Sequence, residues 1–109
     1  MINSNIFSCK KDKYNNGNVL VTVKYNNEAI AHAGIYLKKG NNVTSVVPST
    51  NFDKQIGADA IGQAYFENLP PDTYTIFAKG FSQQAGKQVT GKTVIQIKTD
   101  YQEVTVDTK

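Results

Sequence analysis

Residues 62–81 read GQAYFENLPPDTYTIFAKGF, and their pattern is the clearest indication of the fold. Two runs of alternating apolar and polar residues lie on either side of Pro70 and Pro71. Proline fixes φ and donates no backbone hydrogen bond, so the pair belongs in a turn between two strands. We expect a hairpin with a three-residue connection, in which Tyr65 on the first strand faces Phe77 on the second.

The same alternation continues through most of the chain. The alternating runs are rich in Val, Ile, Thr, Tyr and Phe, which favour half-buried strands, and clusters of Asn, Gly, Pro and Asp separate them. No stretch has the periodicity of an amphipathic helix of useful length. The pattern therefore predicts an all-β sandwich. The predicted strands are residues 18–25, 30–38, 42–47, 62–69, 73–79, 92–98 and 103–108.

Length, charge and composition exclude several classes of protein. A chain of 109 residues suits one domain, and its 39% hydrophobic residues are enough for a small core. The net charge is +3, but all twelve basic residues are lysines. Bidentate recognition of phosphate and guanine relies on arginine, so we expect no nucleic-acid partner. No apolar run is long enough to span a membrane.

The first seventeen residues, MINSNIFSCKKDKYNNG, differ from the rest of the chain. They have no sustained periodicity and are rich in asparagine and lysine. We interpret residues 1–17 as a tail or tether and residues 18–109 as the folded domain.

A family resemblance lies on the same central stretch. Residues 59–74, DAIGQAYFENLPPDTY, resemble the signature of carboxypeptidase regulatory-like domains, in which a Thr-Asp-x-x-Gly turn precedes an aromatic strand and Leu-Pro-x-Gly-x-Tyr. The strands within residues 18–40 are similar to the opening of that family. The resemblance implies a seven-stranded Greek-key β-sandwich of the transthyretin-like, or prealbumin-like, type over residues 18–109. Asp72 stands where the family usually has Gly, and Ala58 where Thr or Ser often precedes the Asp.

The tail resembles a second pattern. Ile6-Phe7-Ser8-Cys9 followed by Lys-Lys-Asp is similar to the end of a lipoprotein signal of the Bacteroidetes, where the cysteine is diacylated and the charged stretch accompanies surface export. The resemblance implies lipidation at Cys9 and an extracytoplasmic, outer-membrane location through that anchor. Only eight residues precede Cys9, so this interpretation requires a truncated start. The alternative is a disordered tail with one incidental thiol.

Catalytic and metal-binding chemistry is poorly supported by the residues present. His32 is the only histidine, lies in an alternating run and is interpreted as a strand residue. One histidine and Cys9 cannot supply the three or four ligands of a zinc site, nor a nucleophile with an oriented base. Asp53 and Asp59 could share a calcium ion, but Asp59 is more simply a turn residue that bonds its own backbone. We therefore expect no enzyme activity, no cofactor and no metal.

Two functional hypotheses remain. The first is a non-catalytic cell-envelope lipoprotein domain that acts as a structural, adhesion or assembly module, with edge strands that pair with another envelope protein. The second is a carbohydrate- or peptide-binding module that uses Tyr65, Phe77 and Asn51 with the loop 40–56. The aromatic pair could equally brace the hairpin, because cross-strand aromatic pairs stabilise sheets by about 0.2–1 kcal/mol, or it could lie beneath that loop.

Overall fold

The computed structural model describes residues 16–41 and 52–109. Over these residues the chain contains strands and turns but no helix, which confirms the all-β prediction. A helix able to cross a membrane is accordingly absent from them. The strands are β1 (Gly17–Tyr25), β2 (Glu28–Ala29), β3 (Gly34–Lys39), β4 (Lys54–Gly57), β5 (Gln63–Leu69), β6 (Asp72–Ser82), β7 (Lys87–Ile97) and β8 (Tyr101–Asp107).

The strands form two sheets. In sheet A, β1 is central: β5 pairs antiparallel along one edge, β8 pairs parallel along the other, and the two-residue β2 joins the end of β1. Sheet B is antiparallel in the order β4-β3-β6-β7. Strand β4 lies in a segment predicted to be loop, and the predicted strand 42–47 lies outside the described residues. The described residues thus hold eight strands, seven of them four residues or longer.

One hydrophobic core lies between the two sheets, in the arrangement of a β-sandwich. Every second residue of a strand faces the core, because side chains alternate between the faces of a sheet. Full burial of a valine- to phenylalanine-sized side chain contributes about 1.5–3 kcal/mol, so these positions dominate the stability of the fold. The largest completely buried core side chains are Val19, Val21, Val23, Ile30, Ile35, Leu37, Leu69, Ile76, Val89, Ile97 and Val106.

The predicted hairpin over residues 62–79 is wrong. Tyr65 on β5 pairs with Leu20 of sheet A, whereas Phe77 on β6 pairs with Tyr36 of sheet B. The chain passes from one sheet to the other at Pro70, so Tyr65 and Phe77 do not face each other. The alternation could not reveal this, because a strand buries one face whether its successor lies beside it or in the opposite sheet.

A buried tyrosine stabilises the connection that leads from β5 in sheet A to β6 in sheet B. Tyr74 is 2% exposed, and its hydroxyl donates a 2.7 Å hydrogen bond to the carbonyl oxygen of Pro70, four residues earlier. Antiparallel sandwiches use such a tyrosine corner where the chain turns between strands. Leu69, 1% exposed, fixes the other side of the turn in the core.

Replacing Tyr74 by Phe tests this corner. We expect the free energy of unfolding to fall by about 0.5–1.5 kcal/mol at pH 7, because the ring still fills its site while the hydrogen bond to Pro70 is lost. Urea unfolding of both proteins measures the difference. An unchanged stability would contradict a structural role for this hydroxyl.

The same variant has a distinctive pH dependence. Burial, with smaller contributions from the charges of Asp72 and Asp53, raises the pKa of Tyr74 above 10.0 in the folded protein. In the unfolded chain Tyr74 ionises near 10, so between the two pKa values only the unfolded state loses the proton. The wild-type advantage over Tyr74→Phe is therefore full below pH 10 and shrinks as pH rises beyond it. A difference that stays constant from pH 8 to pH 11 would contradict this account.

A long hairpin in the structure joins β6 and β7. Gly86, with φ of 64°, closes its turn by donating its N–H to the Ser82 carbonyl oxygen at 2.8 Å. Gly80 and Gly91, which lie outside the predicted strands 73–79 and 92–98, are inside β6 and β7. At both glycines the strand backbone lies too close to a neighbouring segment for a side chain to fit. A Cβ on Gly80, for example, would lie 2.4 Å from Cγ2 of the buried Ile30.

Candidate functional site

Two exposed tyrosines lie side by side on the outer face of sheet A. Tyr65 on β5 is 40% exposed and Tyr101 on β8 is 51% exposed. Their ring centroids are 6.3 Å apart and their planes meet at 42°. Leu20 lies between them on the central strand, in register with Tyr65 on one side and Glu103 on the other. We call these four residues the aromatic face.

The alternation of each strand directs these tyrosines outward. Ala64 and Phe66 are buried in the core, so Tyr65 between them is on the opposite side of the sheet. Val106 is also buried in the core, and Tyr101, an odd number of residues away on the same strand, faces outward. The core-facing residues therefore determine where the aromatic face lies.

A carboxylate adjoins the two rings. The Tyr101 hydroxyl donates a 2.8 Å hydrogen bond to Oε2 of Glu103. That bond is the main reason why the pKa of Tyr101 is raised above 10.0, with desolvation and the charges of Glu103 and Tyr65 adding to it. Tyr101 is therefore a neutral phenol over the physiological pH range. The remaining lone pairs of Glu103 can accept hydrogen bonds from the hydroxyl groups of a ligand.

Phe77 is buried, and it does not face Tyr65 as the sequence predicted. It is on the outer side of sheet B, yet it is only 1% exposed. Its β3 partner Tyr36 contacts Phe52 edge-on, with ring centroids 5.2 Å apart. On the same side, Thr75 is fully buried and donates a 2.7 Å hydrogen bond to the Gly40 carbonyl oxygen. An exposed pair of Tyr65 and Phe77 therefore does not exist.

The remaining predicted residues do not join the aromatic face. Asn51 and Cys9 lie outside the described residues. His32 lies in a turn with φ of 58° and is exposed, so its assignment to a strand is wrong. Its N–H donates a 2.9 Å hydrogen bond to the Asp59 carbonyl oxygen.

Asp59 has the turn role that the sequence indicated. One oxygen of its carboxylate accepts from the N–H groups of Ile61 at 3.0 Å and Gln63 at 2.9 Å. Asp53 accepts instead from the N–H of Lys39, at the other end of β4. Among the residues the structure describes, no three His, Cys, Asp or Glu side chains form a group that could hold a metal ion.

Tyr101 and Glu103 are absent from the residues predicted to form a site. The predicted last strand began at Glu103, which separated Tyr101 from the alternating pattern. The local signal was present, because alternation extends back to Tyr101 and puts odd-numbered residues of β8 on one face. The proximity of Tyr101 to Tyr65 could not be inferred from the sequence, because it depends on the parallel pairing of β8 with β1.

No protein-family model matches this chain, and no curated protein is significantly similar to it. Its function is therefore inferred from the chemistry of the aromatic face and from the sequence of the tail.

Proposed function

We propose that this domain is a non-catalytic adhesion module of the cell envelope that binds glycans on the aromatic face. The observation that carries the proposal is the exposed pair of Tyr65 and Tyr101, 6.3 Å apart with a carboxylate beside it. An aromatic ring is a flat apolar surface on which the C–H face of a sugar ring can stack. Glu103 supplies an acceptor for the hydroxyl groups at the edge of that sugar.

The surroundings of the two rings favour a polar ligand over a large protein interface. The face is apolar only at Tyr65, Leu20 and Tyr101, which is too small for the hydrophobic centre of a standard protein–protein interface. Hydrogen-bonding side chains continue the face on both sides. These are Asn18, Thr22, Gln63 and Thr105.

The proposal includes the finer description of the fold, a Greek-key sandwich of the transthyretin-like type. Its support is the crossing from β5 in one sheet to β6 in the other, together with the Tyr74 corner that holds it. In the part of the chain that the structure describes, the seven longer strands agree in number with the family that the central stretch resembles.

Glycan binding is tested by screening the folded domain against an array of oligosaccharides and measuring the affinity of the best hit by calorimetry. We expect Tyr65→Ala and Tyr101→Ala each to weaken binding about tenfold or more, the equivalent of about 1.4 kcal/mol of lost stacking. Phe81→Ala is the matched control, because Phe81 is also 51% exposed but lies on sheet B.

Three outcomes decide the proposal. Loss of affinity in both tyrosine variants with an unchanged Phe81 variant supports it. Equal loss in all three variants would point to a general effect of aromatic removal and contradict a site on the aromatic face. Absence of binding to any oligosaccharide would leave the structural or assembly hypothesis as the better description.

The envelope location is tested separately at Cys9. We expect the protein isolated from its native membrane fraction to carry a mass consistent with cleavage before Cys9 plus lipid. Cys9→Ser should move the protein to the soluble fraction, because a diacyl anchor supplies most of its membrane affinity. An unlipidated wild-type protein in the soluble fraction would contradict the location and leave the glycan proposal standing.

A further inference from the structure

The two sides of the sandwich differ in how their strand edges are protected. Along one side, β7 and the end of the chain exchange two backbone hydrogen bonds, of 3.3 and 2.8 Å, between Thr90 and Lys109. Further along, the side-chain amide of Gln102 donates a 2.9 Å bond to the Gln96 carbonyl oxygen. These contacts connect the two sheets and occupy backbone groups that an edge strand would otherwise expose.

On the other side, formed by β4 and β5, Gln63 bonds to Asp59 at one end, and the edge is open from Tyr65 onward. Across the described residues, β4 pairs only with β3 and β5 pairs only with β1. An open groove of about 410 Å³ separates these two edges. Ile56, Tyr65 and Phe66 are the apolar and aromatic residues of its lining, and Lys54 and Glu67 are the charged ones.

The register shows which backbone groups of β5 face the groove. The N–H of Val23 donates to the Gly62 carbonyl oxygen at 2.8 Å, so the even-numbered residues of β5 face β1. Up to Glu67 the odd-numbered residues therefore direct their N–H and C=O away from β1; beyond it the register shifts, and Leu69 pairs with Gly17. Gln63 confirms this direction, because its N–H and C=O bond to Asp59 on that side. Tyr65 and Glu67 are the next two residues with outward backbone groups.

We propose that the β4–β5 groove binds an extended segment of a partner protein, which adds to sheet A as a strand beside β5. The backbone of the segment would bond to Tyr65 and Glu67, the pattern by which strand addition gives affinity. Every second side chain of the segment points toward Ile56 and Phe66 and is apolar. The others lie on the outer side of the sheet, where the charge of Glu67 favours a lysine or arginine directly across.

This inference does not rest on glycan binding; because Tyr65 lines the groove and also belongs to the aromatic face, the test uses a residue outside that face. Proline at Glu67 removes the outward N–H but no bond to β1, so the edge strand tolerates it. Val94→Pro is the matched control, because the backbone N–H of Val94, like that of Thr90 on the same strand, points away from β6. Its side chain is exposed.

The probe is a displayed library of nonapeptides with alternating apolar and polar positions, selected on the wild-type domain. We expect the enriched peptides to carry a basic residue at a polar position. Glu67→Pro should bind them at least about tenfold more weakly than wild type, and Val94→Pro should bind them equally well.

Amide hydrogen exchange adds a measurement on the wild-type protein alone. The amide protons of Tyr65 and Glu67 should exchange rapidly in the free domain and become protected in the complex.

Several results would overturn the proposal. One is a library without enrichment over an empty support, and another is equal binding of the selected peptides to wild type and Glu67→Pro. If Glu67→Pro does not fold, hydrogen exchange on the wild-type complex decides the question. Amides of Tyr65 and Glu67 that stay unprotected in that complex would contradict the proposal. Concentration-dependent dimerisation that protects these amides without peptide would assign the edge to a second copy instead.

Discussion

Phe77→Ala is expected to lower the free energy of unfolding by about 3–5 kcal/mol, although Phe77 lies on the outer side of its sheet. The side chain is 1% exposed, and it is among the largest fully buried groups of the chain. Its removal leaves a cavity that rigid strands can only partly close. Because small domains have total stabilities of about 5–15 kcal/mol, this loss is a large fraction of the total.

The matched control for this prediction is Phe81→Ala on the same strand. Phe81 is 51% exposed, so its truncation should change stability by no more than about 0.5 kcal/mol. Denaturant unfolding of the three proteins measures both differences at once. Similar small losses in the two variants would contradict the burial of Phe77 and would restore it as an exposed aromatic residue available to ligands.

Gly91→Ala is expected to have the second largest effect, a destabilisation of about 1–3 kcal/mol from overpacking. A Cβ at this position would lie 2.5 Å from the Asp107 carbonyl oxygen and 3.0 Å from Cα of Thr108. Both are backbone atoms, so a side-chain rotation cannot relieve the contact. The methyl group would push β7 away from β8 and strain the bonds between Thr90 and Lys109 that close this side.

Gly57→Ala on β4 is the control for Gly91→Ala. A Cβ on Gly57 would meet nothing within 4 Å, and both glycines have backbone conformations that alanine adopts. We expect Gly57→Ala to be neutral or slightly stabilising, since alanine has less conformational freedom to lose on folding than glycine. Thermal unfolding compares the two variants. Equal melting temperatures would show that the β7–β8 side is not as tightly closed as described.

The fold class was predictable because it depends on local patterns. Alternating residues such as Val19, Val21 and Val23 indicate one buried face, and the structure places all three in the core. Asp59 was also predictable, since an aspartate two residues before Ile61 bonds its own backbone by a local geometry. Such features depend on neighbours in the sequence.

The partners of the strands were not predictable by the same reasoning. Pro70 fits a hairpin and a crossing between sheets equally well, and only Tyr74 four residues later distinguishes them through its hydroxyl bond. That tyrosine could have corrected the topology, because a tyrosine corner is typical of strand crossings in sandwiches. The proximity of Tyr65 and Tyr101 had no such signal. It arises from two strands that do not pair with each other but lie on either side of β1.

We propose that Tyr65 and Tyr101 together form the surface on which a sugar stacks. Nuclear Overhauser measurements on the domain bound to its best oligosaccharide test this stacking. We predict contacts between sugar C–H protons and the ring protons of both tyrosines, with chemical-shift changes that extend to Leu20 and Glu103. Contacts to sheet B alone, or to neither tyrosine, would contradict the account.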